Sequence, residues 1–299
     1  MARWLIALFA MQLCSGATAA AALDAKRIGD LTGLPTEAAD GVVKVSKPRG
    51  DIRETVDGRA LKPFQGLTSW AAFQPSGSGA IVMGDIVLLE NEANPALSAA
   101  LEGGLEVTAL HNHFFYDSPR VYFMHIGGSG DEEKLARAVR AVLDAAEQAP
   151  KGDGFGGPAV AGEDAIDAAP LEAILGGHAQ AKDGMAKFVF GRTAAMHGTT
   201  MGAPMGVNTW AAFAGRNDAA VVDGDFAMLE SEVQDVLKAL RSAGIDIVAI
   251  HSHMAHEEPR IVFLHFWGKG PAEDLARGIR KARDTQEAGK RAGAPSPRG

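Results

Sequence analysis

The chain has 299 residues, 46% apolar and 22% charged, with 29 Lys and Arg against 37 Asp and Glu for a formal net charge of -8. This composition is that of an ordinary globular protein rather than a disordered chain, and the length suits two domains. The acidic balance argues against a nucleic-acid partner, and no internal apolar run reaches the ~20 residues that cross a bilayer, so no transmembrane span is expected.

Residues 1–20 read as a signal peptide: a basic start at Met1-Ala2-Arg3, an apolar run to Leu13, then small residues with an Ala17-x-Ala19 cleavage pattern. The mature protein is therefore expected to be exported, either periplasmic or secreted. Cys14, the only cysteine, lies in this segment. The bulky Leu13 before it is a poor lipid-attachment context, so an anchor through Cys14 is not expected. Cleavage after Ala19 leaves a chain without thiol chemistry.

The remainder is a tandem duplication. Residues 66–130 align without gaps onto 206–270 at a constant offset of 140, and 24 of these 65 positions are identical. Repeat 1 spans 22–149 and repeat 2 spans 165–287. Between them lies a Gly/Pro-rich linker at 150–164, and residues 288–299 form a disordered tail. Along each repeat, 23–33 and 171–177 predict short helices, and 42–47 and 187–190 predict strands after Asp-Gly turns. A hairpin follows over 69–89. In the second copy Val233, Val236, Leu237 and Leu240 recur at the spacing of one helix face, ended by Gly244. Two strands at 105–113 and 121–126 and a helix over 131–146 complete the unit. Strand, helix, strand, strand, helix is most of a split β-α-β plan. The expected fold is α+β: two tandem ferredoxin-like repeats, each an antiparallel sheet with helices on one face, stacked as a pseudo-two-fold pair.

Seven of the nine histidines fall in equivalent segments: His111, His113 and His125 in the first copy, and His251, His253, His256 and His265 in the second. Side chains alternate along a strand, so His111 and His113 share a face. A hairpin symmetric about Ser118 sets His111 opposite His125, and three imidazoles then converge, as do His251, His253 and His265 in the other copy. A two-residue His pair with a third His on the neighbouring strand is a three-histidine metal arrangement. Its nitrogen donors suit zinc or copper. A structural hydrogen-bonded network is the alternative. The string His111-Asn112-His113 does not make a nuclease, because the chain lacks the basic surface.

Asp85, Glu90 and Glu92 recur as Asp225, Glu230 and Glu232 just before a helix. Glu92 and Glu232 read as helix caps, whereas Glu90 and Glu230 are candidates for a fourth ligand or a general base. Arg120 and Arg260, with His256, are candidates to hold a small anionic ligand, although salt bridges to Asp117 or Glu257 and Glu258 are the simpler role for the arginines. Trp70 and Trp210 read as core. Met196, Met201 and Met205 are either soft copper ligands or loop filling.

The blocks Gly-Asp-x-x-x-Leu-Glu from Gly84, Ala-Leu-His-x-His from Ala109, Asp-x-Pro-Arg from Asp117 and Phe-x-His from Phe123, repeated in the second copy, resemble the LppY/LpqO family of exported bacterial proteins. That family has no known function and is often lipoprotein, so the resemblance implies export and duplication but no reaction. Three functions follow: capture of a divalent transition metal, a metal-dependent hydrolase on the same site, or a metal-free periplasmic module for a small anionic ligand.

Overall fold

The computed structural model describes residues 22–152, 154–156 and 159–292. The signal peptide, Cys14 and residues 293–299 of the expected tail lie outside the described residues, whereas 288–292, assigned to that tail by the sequence, continue the last helix. Repeat 1 forms α1 (Ala25–Thr32), β1 (Thr36–Ala39), β2 (Val42–Pro48), β3 (Thr55–Val56), β4 (Arg59–Ala60), β5 (Thr68–Ser76), β6 (Gly79–Leu89), α2 (Glu90–Glu102), β7 (Glu106–Asn112), β8 (Asp117–Ser118), β9 (Val121–Gly130) and α3 (Glu132–Glu147). Repeat 2 follows the same order with α4 (Ala169–Leu175), β10 (Gln180–Lys182), β11 (Met185–Gly191), β12 (Ala194–Met196), β13 (Thr199–Met201), β14 (Asn208–Arg216), β15 (Ala219–Leu229), α5 (Val233–Ser242), β16 (Asp246–His251), β17 (Glu257–Glu258), β18 (Ile261–Gly270) and α6 (Ala272–Ala292).

The repeats do not build two sheets that stack. They share one 12-stranded sheet in the order β1-β2-β5-β6-β9-β7-β16-β18-β15-β14-β11-β10. This order is a palindrome of equivalent strands. At its centre Leu110 pairs antiparallel with Ile250, its own counterpart at the 140-residue offset. A pseudo-two-fold axis therefore runs through this pair. Reciprocal side-chain amides clamp the junction: Asn94 brackets the backbone N–H and C=O of Ile247, and Gln234 does the same to Val107. Joining edge to edge removes one exposed strand edge from each repeat.

Within each repeat β9 lies antiparallel between β6 and β7, and α2 makes the crossover. Alternation divides the sheet into two faces. Phe226, Met228, Ile250, Leu264 and Phe266 join Val236, Leu237, Leu240, Leu275 and Ile279 of the helices in the main core. The helices also pack on one another, α2 on α3 and α5 on α6, with α2 touching α5 across the axis. The alternate residues Ala227, Ile261 and Phe263 face away, under the small sheet β13-β12-β17. Val87, Val121 and Phe123 do likewise in repeat 1, where the second small sheet is β4-β3-β8.

Candidate metal centre

The histidines stand on the face opposite the helices. In repeat 1 Ala109 pairs with His125 and His111 pairs with Phe123. In repeat 2 Ala249 pairs with His265 and His251 with Phe263. The register expected from a hairpin symmetric about Ser118 is thus displaced by two residues. A shift of two keeps every side chain on its face, so the histidines still converge, but diagonally. The cause lies in the loop. Asp117–Ser118 is not a turn apex; it pairs with Thr55–Val56 of β3, and Tyr116 takes a positive φ of 61°. His256 does the same in repeat 2 with φ 66°.

Repeat 2 brings three donors together. The Nε2 of His253 lies 3.0 Å from the Nε2 of His251 and 3.3 Å from Oδ2 of Asp225. Asp225, His251 and His253 form a group able to hold a metal ion. Tetrahedral zinc with ligands at ~2.1 Å separates its donors by about 3.4 Å, close to both spacings. The ring of His253 lies flat on Phe263, with centroids 3.5 Å apart. His265 stacks against His251 at 4.9 Å. Its Nδ1 is 3.2 Å from the carbonyl oxygen of Gly224. A carbonyl only accepts, so Nδ1 is the donor of this contact and Nε2 is the ring nitrogen left for another partner.

Gly224 is required for this approach. A Cβ there would sit 2.2 Å from the Trp210 carbonyl oxygen and 2.3 Å from the Phe266 ring. The repeated Gly-Asp pair thus lets the strands close up and sets Asp225 beside the histidines.

Burial dominates the electrostatics of this group. Asp225 is only 3% exposed. Burial pushes its carboxyl up from the ordinary range, with the charge of His265 acting in the opposite sense. Burial, then the neighbouring His265 and His253, lower His251 to about 4. Burial and His265 also lower His253. Both imidazoles are therefore neutral donors at physiological pH. Oδ1 of Asp225 and Nδ1 of His251 are buried without hydrogen-bond partners, which is costly unless something else satisfies them.

Repeat 1 repeats the frame with looser contacts. His111 stacks on His113 at 5.2 Å and on His125 at 5.1 Å, and His113 lies on Phe123 at 3.3 Å. Asp85 pairs with His125 as Asp225 pairs with His265.

Glu92 and Glu232 cap their helices by accepting from the backbone N–H of Leu89 and Leu229. They also form buried ion pairs, Glu92 with Arg49 and Glu232 with Arg192, which the sequence reading did not anticipate. Glu90 and Glu230 are exposed at the helix starts. Glu230 and Arg260 line a cleft of about 740 Å³ shared with Glu106 and Thr108 of the other repeat, and this cleft also meets Val262, a residue packed against the helix-side core. The structure thus does not bring Glu230 to the histidines. Arg120 and Arg260 are exposed, and among the described residues neither makes the expected salt bridge to Asp117, Glu257 or Glu258. Asp117 and Glu257 instead accept from the backbone N–H groups of Val121 and Ile261. His256 faces His197, ring centroids 6.5 Å apart. Met201 is buried in the small core and Met196 packs against it, while Met205 is exposed. Trp70 and Trp210 are not core residues: they are half-buried, with Lys44 and Lys187 over their rings at 4.8 and 4.1 Å.

The residue that sequence reasoning passed over is Asp225. In the sequence it groups with the helix-start acids. The signal that finds it is strand phase: Asp225 pairs with His265 and so shares its face.

The chain belongs to a family described as a domain of unknown function, DUF1259, whose model matches residues 26–145 and again 169–285. No curated protein matches it. Among solved structures it is similar to the trimeric bacterial microcompartment shell protein PduB (14% identity, TM-score 0.19, covering 86% of this chain and 93% of that one). It is also similar to EtuB from Clostridium kluyveri (11%, TM-score 0.21, 87% and 92%) and to the double ringed trimeric shell protein MSM0271 from the RMM microcompartment (12%, TM-score 0.21, 72% and 86%). Overlaps at such TM-scores carry no conclusion for this chain. Among the described residues no helix is long and apolar enough to cross a membrane.

Proposed function

We propose that this member of the DUF1259 family is an exported protein that binds a divalent transition metal, zinc or copper, through Asp225, His251 and His253, with His265 as a further nitrogen donor. The observation that carries the proposal is the meeting of two imidazole Nε2 atoms and a buried carboxylate oxygen at spacings of 3.0 and 3.3 Å. Two nitrogens and one oxygen suit zinc or copper better than magnesium or calcium. The sequence of residues 1–20 and the LppY/LpqO resemblance support export. Each repeat is read as an extended ferredoxin-like unit. A coordination position left to water would give such a centre hydrolytic capacity, since bound zinc lowers the pKa of its water toward neutrality.

The test is equilibrium dialysis of the tag-free chain against Zn(II) or Cu(II), followed by metal analysis. His251→Ala/His253→Ala is expected to bind one equivalent less than the parent; equal content in both would refute the site.

A second reading rests on a separate observation, the cleft that holds Arg260. Among the described residues no hydrogen bond or ion pair engages this arginine, so the cleft would suit a small anionic ligand. Anion binding that persists in the metal-free protein and is lost in Arg260→Ala would favour this reading.

A further inference from the structure

We infer that the first repeat holds a second metal ion, through Asp85, His111 and His113 with His125 beside them, so that two mononuclear centres share one face of the sheet across the pseudo-two-fold axis. The inference rests on the metal reading of repeat 2 and extends it.

The register places the two sets together. Leu110 pairs with Ile250, so in an antiparallel ladder Ala109 lies beside His251 and His111 beside Ala249. Ala109 also pairs with His125, which pairs with Asp85. One row across the sheet therefore reads Asp85, His125, Ala109, His251. The row related to it by the axis reads Asp225, His265, Ala249, His111. All eight side chains project from the same face, and the first histidine of each repeat stands in the row of the other repeat's aspartate. Only two alanine methyl groups, those of Ala109 and Ala249, separate the sets.

Repeat 1 offers the same donor types on the same frame, although among the described residues only Asp225, His251 and His253 already have their donor atoms within reach of one ion. Oδ1 of Asp85 is buried without a hydrogen-bond partner. The Nδ1 of His111 is 3.2 Å from the carbonyl oxygen of Asn112. That oxygen accepts the Nδ1 proton, which leaves Nε2 as the lone pair. His113 is fixed flat on Phe123 as His253 is on Phe263. Gly84 precedes Asp85 under the same constraint as Gly224, since a Cβ there would lie 2.7 Å from the Trp70 carbonyl oxygen.

The centres lie around β9 and β18, three strand spacings apart, or about 14 Å. That separation is too large for a single bridging oxygen. The two ions would act as separate centres over the alanine floor, open to a ligand with a donor group at each end.

The test uses the tag-free full chain loaded with Cu(II) and dialysed. Two equivalents are expected in the parent and one each in His111→Ala/His113→Ala and His251→Ala/His253→Ala. Electron paramagnetic resonance of the parent is expected to show dipolar coupling between ions about 14 Å apart, absent in both variants. Asp85→Asn, nearly isosteric, provides a check should the double variant fail to fold, and it is expected to weaken one of the two sites. One equivalent in the parent, kept by the repeat 1 variant and lost in the repeat 2 variant, overturns this inference and leaves the proposed function standing. Two equivalents without the coupling, or two kept in the repeat 1 variant, also overturn it. No metal in any of these proteins overturns the proposed function itself.

Discussion

Asp225 is the residue on which the proposed metal site turns, and its surroundings are costly for the metal-free protein. Its carboxylate is buried, one of its oxygens is unpartnered, and the other lies 3.3 Å from Nε2 of His253. A buried charge without a cation destabilises the fold, whereas the same charge next to a metal is a ligand. Asp225→Asn is therefore expected to weaken zinc or copper by at least about tenfold while the metal-free protein melts no lower than the parent. Calorimetric titration and thermal melts in chelator read the two effects. Metal affinity equal to the parent's would remove Asp225 from the site. Glu230→Gln, in the other cleft, is expected to leave metal content unchanged.

Glu54 gives a separate residue-level prediction. It is fully buried, and neither carboxylate oxygen has a hydrogen-bond partner. Burial, aided by the charge of Asp117, raises its pKa to about 7. The folded value lies above the unfolded one, so the protonated form favours the fold. That contribution is complete below about pH 4.5 and is lost as pH rises to about 7, amounting to at most about 3 kcal/mol. Glu54→Gln should flatten this slope and be more stable than the parent at pH 8, as measured by urea unfolding at pH 5 and pH 8. An unchanged slope would show that Glu54 is charged throughout.

At the scale of elements, the two buried Arg–Glu pairs tie each helix start to the end of the second strand of its repeat, β2 or β11. Arg192 reaches Glu232 and the carbonyl oxygen of Ala227, and Gln286 of α6 donates to the same two groups. Removing one partner strands a buried charge, which costs about 3–5 kcal/mol. Glu232→Ala should lower the melting temperature markedly, and a shift within error would show that the pair is not a stabilising contact. The caps at Glu92 and Glu232 were legible because their spacing to the helix start is local. The arginines were not: Arg49 and Glu92 are 43 residues apart, and the copies carry their arginines at an offset of 143 rather than 140. The histidine strands were legible from alternation alone. Their register was not, because it depends on β8 pairing with the remote β3.

For the whole molecule, the duplication was plain in the sequence, while its consequence was not. A strand with one polar and one apolar face has the same pattern whether its sheet stacks on its copy or continues into it. What decides is the β7–β16 edge, where the pairing residues carry no distinctive letters. A shared sheet and touching helices predict that the repeats unfold as one cooperative unit. Scanning calorimetry should give a single transition whose calorimetric and van't Hoff enthalpies agree, and two resolved transitions would show repeats that unfold independently. The joining also sets both histidine clusters on one face about one axis, so that the polar centre of the molecule lies where the two copies meet.

The most direct test of the metal reading is the metal content of the chain purified without affinity tags or chelators, beside His251→Ala/His253→Ala. Near-stoichiometric zinc or copper in the parent, reduced by one equivalent in the variant, is the predicted result. No metal in either protein, together with no thermal shift on adding zinc or copper, would contradict it and leave the histidines as a hydrogen-bonded network.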